Sequence, residues 1–329
     1  MSVLKSRKYG LLHLDNVVGV GIGNKEVRGN STGETSVTVL VKKKLPSSNV
    51  PVAHCIPKQI NRVATDVIEV GEIMLLDRTE KVRPAVPGSS IGHPKVTAGT
   101  FGAVVRDRKT GKPLILSNNH VLANITDGRD GRARVGDPIL QPGRYDGGQA
   151  EDVVAYLERF VPICRVSSRA TCPLALAAEG VANMMLRAVQ PSYEMQFVRK
   201  SSRENLVDAA VARPVSEDMI KADIMEVGAV SAYRDVEIGM KVKKSGRTTG
   251  LTTGVVKVIS TTLKISLGEV GEAYFVDQIV TSAMGQPGDS GSLVVTEDGA
   301  AVGLLGAGSD RATICSRITN VMELLDIVI

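Results

Sequence analysis

The stretch Gly285-Gln286-Pro287-Gly288-Asp289-Ser290-Gly291-Ser292, running straight into the apolar Leu293-Val294-Val295, constrains this chain more than any other. Glycine and proline punctuate it as a tight loop that feeds a strand. A serine hydroxyl is a weak nucleophile at neutral pH, so a serine used for acyl transfer needs a base beside it and backbone N–H groups around the developing oxyanion. Gly288 can adopt angles closed to residues with a Cβ, which lets its N–H and that of Ser290 converge on one oxygen. Asp289 would then point inward and need a cation. An ordinary Gly-Asp-Ser turn between two strands has the same composition, so the chemistry requires two further residues.

The chain has four histidines, His13, His54, His93 and His120. His120 follows the strand-like Leu114-Ile115-Leu116-Ser117 and the polar Asn118-Asn119, which places an imidazole at a strand end, where it can reach a cleft. Asp208 interrupts the apolar run Leu206-Val207-Asp208-Ala209-Ala210-Val211, and a carboxylate buried there needs a partner. Asp152, which also precedes an apolar run, is the competing acid.

His120, Asp208 and Ser290 in that order, with Gly-Asp-Ser-Gly at the serine, resemble the chymotrypsin-like (trypsin-like) serine peptidases. Lys244-Ser245-Gly246-Arg247-Thr248-Thr249-Gly250 is similar to a hairpin of bacterial members such as streptogrisins and alpha-lytic protease. The Ser-Asn-Asn-His and Pro-Gly-Asp-Ser-Gly-Ser segments resemble those of bacterial trypsin-like proteins and the plant narrow-leaf proteins. The resemblance covers roughly residues 90–329 and implies a double β-barrel serine endopeptidase. It implies His120 as base, Asp208 as its orienting acid and Ser290 as nucleophile, with the oxyanion held by the N–H groups of Gly288 and Ser290. It points to Lys244 or Arg247 as the cation for Asp289, and to Met284, Gly306, Ala307 and Gly308 as substrate-binding positions. Met284 stands where trypsin has a charged pocket floor, which argues for an apolar side chain in the pocket. Two departures stand out: Gly306 occupies a place where a serine often supports the acid, and Ser292 replaces a common glycine. A non-catalytic scaffold that binds extended peptides in the same cleft is the alternative from another class, and a peptidase that mainly cuts itself near residues 77–90 is a third. The chain order His120, Asp208, Ser290, with Ser292 where a Gly-x-Ser-x-Gly elbow would need glycine, argues against an α/β-hydrolase.

Length and composition set the remaining bounds. At 329 residues the chain accommodates two domains, and 43% hydrophobic against 23% charged residues describe a folded globular protein. With 3% aromatics and no Trp, the core must be built from Val, Ile, Leu and Ala, which favours strands. A net charge of +5 is modest for this length, and the one tight basic run, Lys42-Lys43-Lys44, has no aromatic platforms nearby, so nucleic acid is not an expected partner. Protein or peptide is the expected partner, and assembly into a homo-oligomer stays open. Residues 1–15 lack a signal-peptide core, and no stretch reaches the roughly 20 apolar residues of a membrane span, so the reading is cytoplasmic with no membrane partner. Cys55, Cys164, Cys172 and Cys315 have no Cys-x-x-Cys spacing and read as free thiols, although Cys164 and Cys172 are close enough in sequence to bridge; no metal or organic cofactor is expected.

Along the chain, residues 1–76 read as a small α+β accessory or pro-segment-like domain. A helix over 3–14 precedes a strand over Val17–Ile22, a return strand over Ser36–Val41, a short helix from Pro57 to Ile60 and a strand over Ala64–Val70. Gly19, Gly21 and Gly23 do not have dinucleotide-binding spacing. Asp77–Ser90 reads as a linker, and 91–329 as the peptidase domain with a helical insertion at about 165–200. In that insertion Thr171 is a candidate N-cap, Pro173 opens the first turn, and Met184 and Met185 read as packing residues. Strands are expected over Gly102–Asp107, Pro113–Ser117, Pro138–Gln141, Asp152–Leu157, Lys241–Lys244, Gly254–Ser260, Thr262–Ser266, Tyr274–Thr281, Gly291–Thr296 and Ala301–Leu305. Asn320 would cap a closing helix.

Overall fold

Val- and Ile-rich runs set an architecture that is mainly β. The computed structural model describes residues 2–27, 30–71, 78–170 and 172–329. They fall into two units, Met1–Leu76 and Asp77–Ile329.

The first unit contains α1 (Ser2–Leu12), β1 (Val17–Val27), β2 (Asn30–Val41), β3 (Gln59–Ile60) and β4 (Val63–Glu69). The sheet order is β1-β2-β4-β3, with β2 and β4 parallel. Val37, Val39 and Val41 alternate onto one face and are buried with Leu11 and Ile60. The short helix expected at 57–60 is absent. Gln59 and Ile60 instead pair with Ala64 and Val63, and the left-handed angles of Asn61 and Arg62 (φ 48° and 67°) make the two-residue turn of a hairpin. Strands β1 and β2 also run further than expected, because a bulge between Asn24 and Glu26 absorbs the polar stretch after Asn30.

The second unit carries two β systems. The first comprises β5 (Ser90–Ile91), β6 (Gly99–Thr100), β7 (Ala103–Asp107), β8 (Pro113–Ser117), α2 (Asn119–Leu122), β9 (Pro138–Leu140) and β10 (Val153–Phe160). An insertion follows, with β11 (Ser167–Arg169), α3 (Pro173–Val189) and β12 (Val198–Lys200), and the chain returns in β13 (Ala210–Pro214). The second system is β14 (Lys241–Gly246), β15 (Gly250–Ser266), β16 (Glu272–Ser282), β17 (Leu293–Thr296), β18 (Ala301–Gly308) and β19 (Ala312–Arg317), followed by α4 (Ile318–Leu325) and β20 (Ile327–Val328). It closes as a barrel in the order β14-β15-β16-β19-β18-β17. The first forms a six-stranded antiparallel sheet, β20-β7-β8-β13-β10-β9, with edge strand β9 bridged to Gly92. Its core includes Phe101, Ile115, Leu122, Ile139 and Leu157; the closed barrel is filled by Val242, Val256, Ile279, Val294 and Leu305. A third cluster binds the two systems, joining Val105, Leu116 and Val211 to Leu293, Leu304 and the buried face of α4.

Several expected elements change form. Gly254–Ser260 and Thr262–Ser266 are one strand, which bends at register shifts near Ser260 (φ 52°) without ending. Helix α4 begins at Ile318, so Asn320 lies inside it and donates to Asp277 Oδ2 (2.9 Å) instead of capping. Thr171, the expected cap of α3, lies outside the described residues, as does Asp77; Cys172 holds the N-cap position. All four cysteines carry free thiols. Residues 78–91 pack within the second unit: Ala85 bridges Ile220, and β5 pairs with β6. Met184 and Met185 are not packing residues. They are 67% and 64% exposed, because only Glu179 of α3 is buried, fixed by Arg169 (2.7 Å) and the Phe197 N–H (2.8 Å). Among the described residues no helix is long and apolar enough to cross a membrane. Met184→Gln is therefore expected to leave stability within about 0.5 kcal/mol in denaturant unfolding, whereas a loss of about 2 kcal/mol would put Met184 in a core.

Candidate active site

Strand β8 ends at Ser117, and the single turn of α2 swings His120 out beside Asp208, which precedes β13 in the adjacent strand position. His120 Nδ1 bonds Asp208 Oδ2, and the His120 backbone N–H donates to Oδ1 of the same carboxylate (3.1 Å). A carboxylate can only accept, so the proton lies on Nδ1 and Nε2 presents its lone pair. Asn118 Nδ2 donates to the Asp208 carbonyl (2.6 Å), and the Asp208 N–H donates to Ser316 Oγ (3.3 Å). Burial pulls the His120 imidazolium down, but the charge and hydrogen bond of Asp208 push it up further, so it titrates above its ordinary 6.5. The competing acid, Asp152, is engaged elsewhere, paired with Lys81 (2.7 Å).

Ser290 lies in the loop between β16 and β17. Its hydroxyl donates to the Gly306 carbonyl (3.5 Å) and makes no hydrogen bond to His120. Two cavities adjoin here and share Ala307. One, about 220 Å³, is lined by His120, Asp208 and Gly306 with the apolar Ile125, Ile265, Leu267 and Phe275. The other, about 840 Å³, is lined by Ser290, Met284, Leu305, Ala307, Gly308 and Asp310, with Met284 itself 3% exposed. Pairing of β18 with β17 stops at Leu293–Leu304, which leaves residues 306–308 without a strand partner on that edge. At Gly306 a side chain would meet nothing closer than Asn118 Nδ2, at 3.9 Å, so the missing serine leaves room beside Asp208.

The loop backbone is pinned from both sides. Gly288 has φ +99°, and a Cβ there would meet Thr248 Oγ1 at 2.3 Å, so glycine is required on two counts. Thr248 Oγ1 donates to the Pro287 carbonyl (2.8 Å). N–H and C=O of one trans peptide point in opposite directions, so the Gly288 N–H is turned away from Thr248. No acceptor among the described residues takes the N–H of Gly288 or of Ser290. From β6, Thr100 donates to both flanking carbonyls, from Oγ1 to Gly288 O (2.9 Å) and from its N–H to Ser290 O (2.8 Å).

Asp289 and Lys244 are both fully buried and form an ion pair at 3.2 Å. Asp289 also accepts from the N–H groups of Thr248 (2.8 Å), Thr249 (3.1 Å) and Gln286 (2.9 Å) and from Thr249 Oγ1 (2.6 Å). Burial pushes its carboxyl up, and these hydrogen bonds together with Lys244 outweigh burial and hold it below the usual range. Burial pulls Lys244 down below its ordinary 10.5 against the charge of Asp289, so Lys244 is the partner that gives way as pH rises. Of the two cations considered from sequence, Lys244 is the one that meets Asp289. Arg247 turns instead to Asp146, with Nε 2.8 Å from Oδ2, and lies over the Tyr145 ring at 5.3 Å. Asp146 and Thr100 were not legible beforehand, since both sit in the other β system; the paired hydroxyls of Thr248-Thr249 were the available signal for a cradle around Asp289.

No protein-family model matches the chain, and no curated protein matches it in sequence. Among solved structures it is similar to Thermobifida fusca protease A (13% identity, 74% of this chain and 96% of that one, TM-score 0.45). It is also similar to a glutamic acid specific serine protease (17%, 74% and 100%, 0.47) and to Nocardiopsis protease (16%, 74% and 97%, 0.45). At identities and TM-scores this low, residue roles rest on the geometry of this chain.

Removing one partner of a buried pair leaves the other charge uncompensated. Lys244→Met is expected to cost about 3–5 kcal/mol in denaturant unfolding, and adding Asp289→Asn to recover part of it; a single-variant loss under about 1 kcal/mol would contradict the pairing.

Proposed function

We propose that the chain is a serine endopeptidase that cleaves peptide bonds through an acyl-enzyme. The observation that carries the reading is the His120–Asp208 pair with a free Nε2, lining a cavity that adjoins the one lined by Ser290, whose loop has two unused N–H groups. Ser290 Oγ attacks the carbonyl carbon while its proton passes to His120 Nε2. The oxyanion is received by the N–H groups of Gly288 and Ser290, an interaction in which each donor typically contributes about 10²–10³ in turnover. Collapse expels the amine, which takes the proton from His120, and water repeats the sequence on the acyl-enzyme. Asp208 keeps the imidazole in the required tautomer. Ser290 Oγ bonds the Gly306 carbonyl, and its hydrogen bond to His120 is one that forms when substrate binds. The open edge at 306–308 suits an extended peptide, and Met284 in the larger cavity suits an apolar side chain ahead of the cut bond.

Fluorophosphonate labelling read by intact mass tests the assignment. Wild type is expected to gain one adduct, Ser290→Ala none, and His120→Ala and Asp208→Asn to react slower by about 10²–10⁴. Because neutral His120 is the base and its pKa is raised, the wild-type rate should climb with pH through a midpoint above 6.5. It should fall again before pH 10.5, as Lys244 deprotonates. No wild-type adduct, or an equal adduct on Ser290→Ala, would favour a peptide-binding scaffold instead.

A further inference from the structure

Arg78 is far in sequence from the serine loop, yet its side chain is only 11% exposed and is enclosed on the hairpin that joins β14 to β15. Its guanidinium donates to Ser245 Oγ (2.8 Å), Gly88 O (3.3 Å) and Gly246 O (3.4 Å), and pairs with Glu226. Two glycines make the space. A Cβ at Gly88 would meet Arg78 Nη1 at 3.1 Å, and one at Gly250 would meet Arg78 Nε at 3.4 Å. Glu226 has a left-handed backbone (φ 61°), an uncommon state for a side-chain-bearing residue, and from it the carboxylate reaches both Arg78 and the Leu251 N–H (3.2 Å). The Arg78 carbonyl accepts from the Ser90 N–H (2.7 Å), and Ser90 Oγ donates to Asp146 Oδ2 (2.5 Å), the partner of Arg247. The hairpin is thus gripped on one side by the Arg78 fork and on the other through Ser90 and Asp146.

The same hairpin supplies every group that Asp289 meets outside its own loop: Lys244 Nζ, the N–H groups of Thr248 and Thr249, and the Thr249 hydroxyl. We propose that Arg78 is a positioning residue for the oxyanion loop, acting through the 244–250 hairpin without touching substrate. The inference rests on the reading of Ser290 as nucleophile. Its planar fork spans Ser245, Gly246 and Glu226 at once, which an ammonium on a lysine stem cannot do. Displacing the hairpin shifts Asp289, and with it the Gly288 N–H.

In the full chain, fluorophosphonate labelling of Arg78→Ala is expected to slow by about 10–10²-fold. The acid-side pH midpoint should stay unchanged, because the His120–Asp208 pair is untouched. Millimolar ethylguanidinium should restore part of the rate in Arg78→Ala and none in Ser290→Ala, and Arg78→Lys should remain slow. A merely structural role predicts no rescue by the free guanidinium. Arg78→Ala labelled at the wild-type rate, or slowed with a shifted acid limb and no rescue, overturns the proposal. If Arg78→Ala fails to fold, Glu226→Gln, which removes the charge and keeps the shape, is expected to slow labelling by at least threefold, and an unchanged rate overturns the proposal. Absence of adduct on wild type overturns both this inference and the serine reading; adduct on wild type with unaffected variants overturns this inference alone.

Discussion

A carboxylate with no access to water has to be matched by a cation, and in this protein that requirement falls on Asp289, one residue before the serine. Lys244 meets it from a strand of the closed barrel, and Thr248 and Thr249 complete the cradle. Because Asp289 lies between Gly288 and Ser290 in the chain, satisfying its charge also sets the two N–H groups that flank it. The shape of the Ser290 loop is therefore a consequence of burial electrostatics.

The second requirement is that two β systems agree on one site. His120, on α2, and Asp208, just before β13, belong to the first β system, and Ser290 lies in the loop between β16 and β17 of the closed barrel. Their register is set at the seam by Thr100, which takes both carbonyls around Asp289 and Ser290, and by the Arg247–Asp146 pair. The apolar cluster of Val105, Leu116, Leu293 and Leu304 supplies the adhesion beneath. A loop clamped on both faces has little freedom to lose when a charge develops beside it, which is the condition for electrostatic stabilisation without reorganisation.

The candidate residues His120, Asp208 and Ser290 are each marked locally in the sequence. Glycines around Ser290, a polar turn before His120 and a lone carboxylate in an apolar run at Asp208 all break an otherwise apolar pattern, and the structure brings His120 and Asp208 together. Long-range partners carry no such mark. Nothing near Arg247 in sequence says that it faces Asp146, 101 residues away, and Thr100 and Arg78 look like ordinary loop residues until the fold places them. Short elements failed for a related reason. Pro57–Ile60 has helical composition, but the left-handed turn at Asn61-Arg62 pairs it as a strand, and α3 has an apolar composition that exposes Met184 and Met185 where packing was expected.

The most direct test of how the site is built is a crystal structure of the full chain soaked with a peptide boronic acid, whose boron accepts a serine oxygen to give a tetrahedral adduct. Predicted is a bond from Ser290 Oγ to boron, with one boronate oxygen about 2.7–3.1 Å from the N–H nitrogens of both Gly288 and Ser290, and the Lys244–Asp289 pair intact. A Gly288 N–H turned away from that oxygen, or Asp289 parted from Lys244 in the adduct, would contradict the claim that this buried pair shapes the oxyanion site.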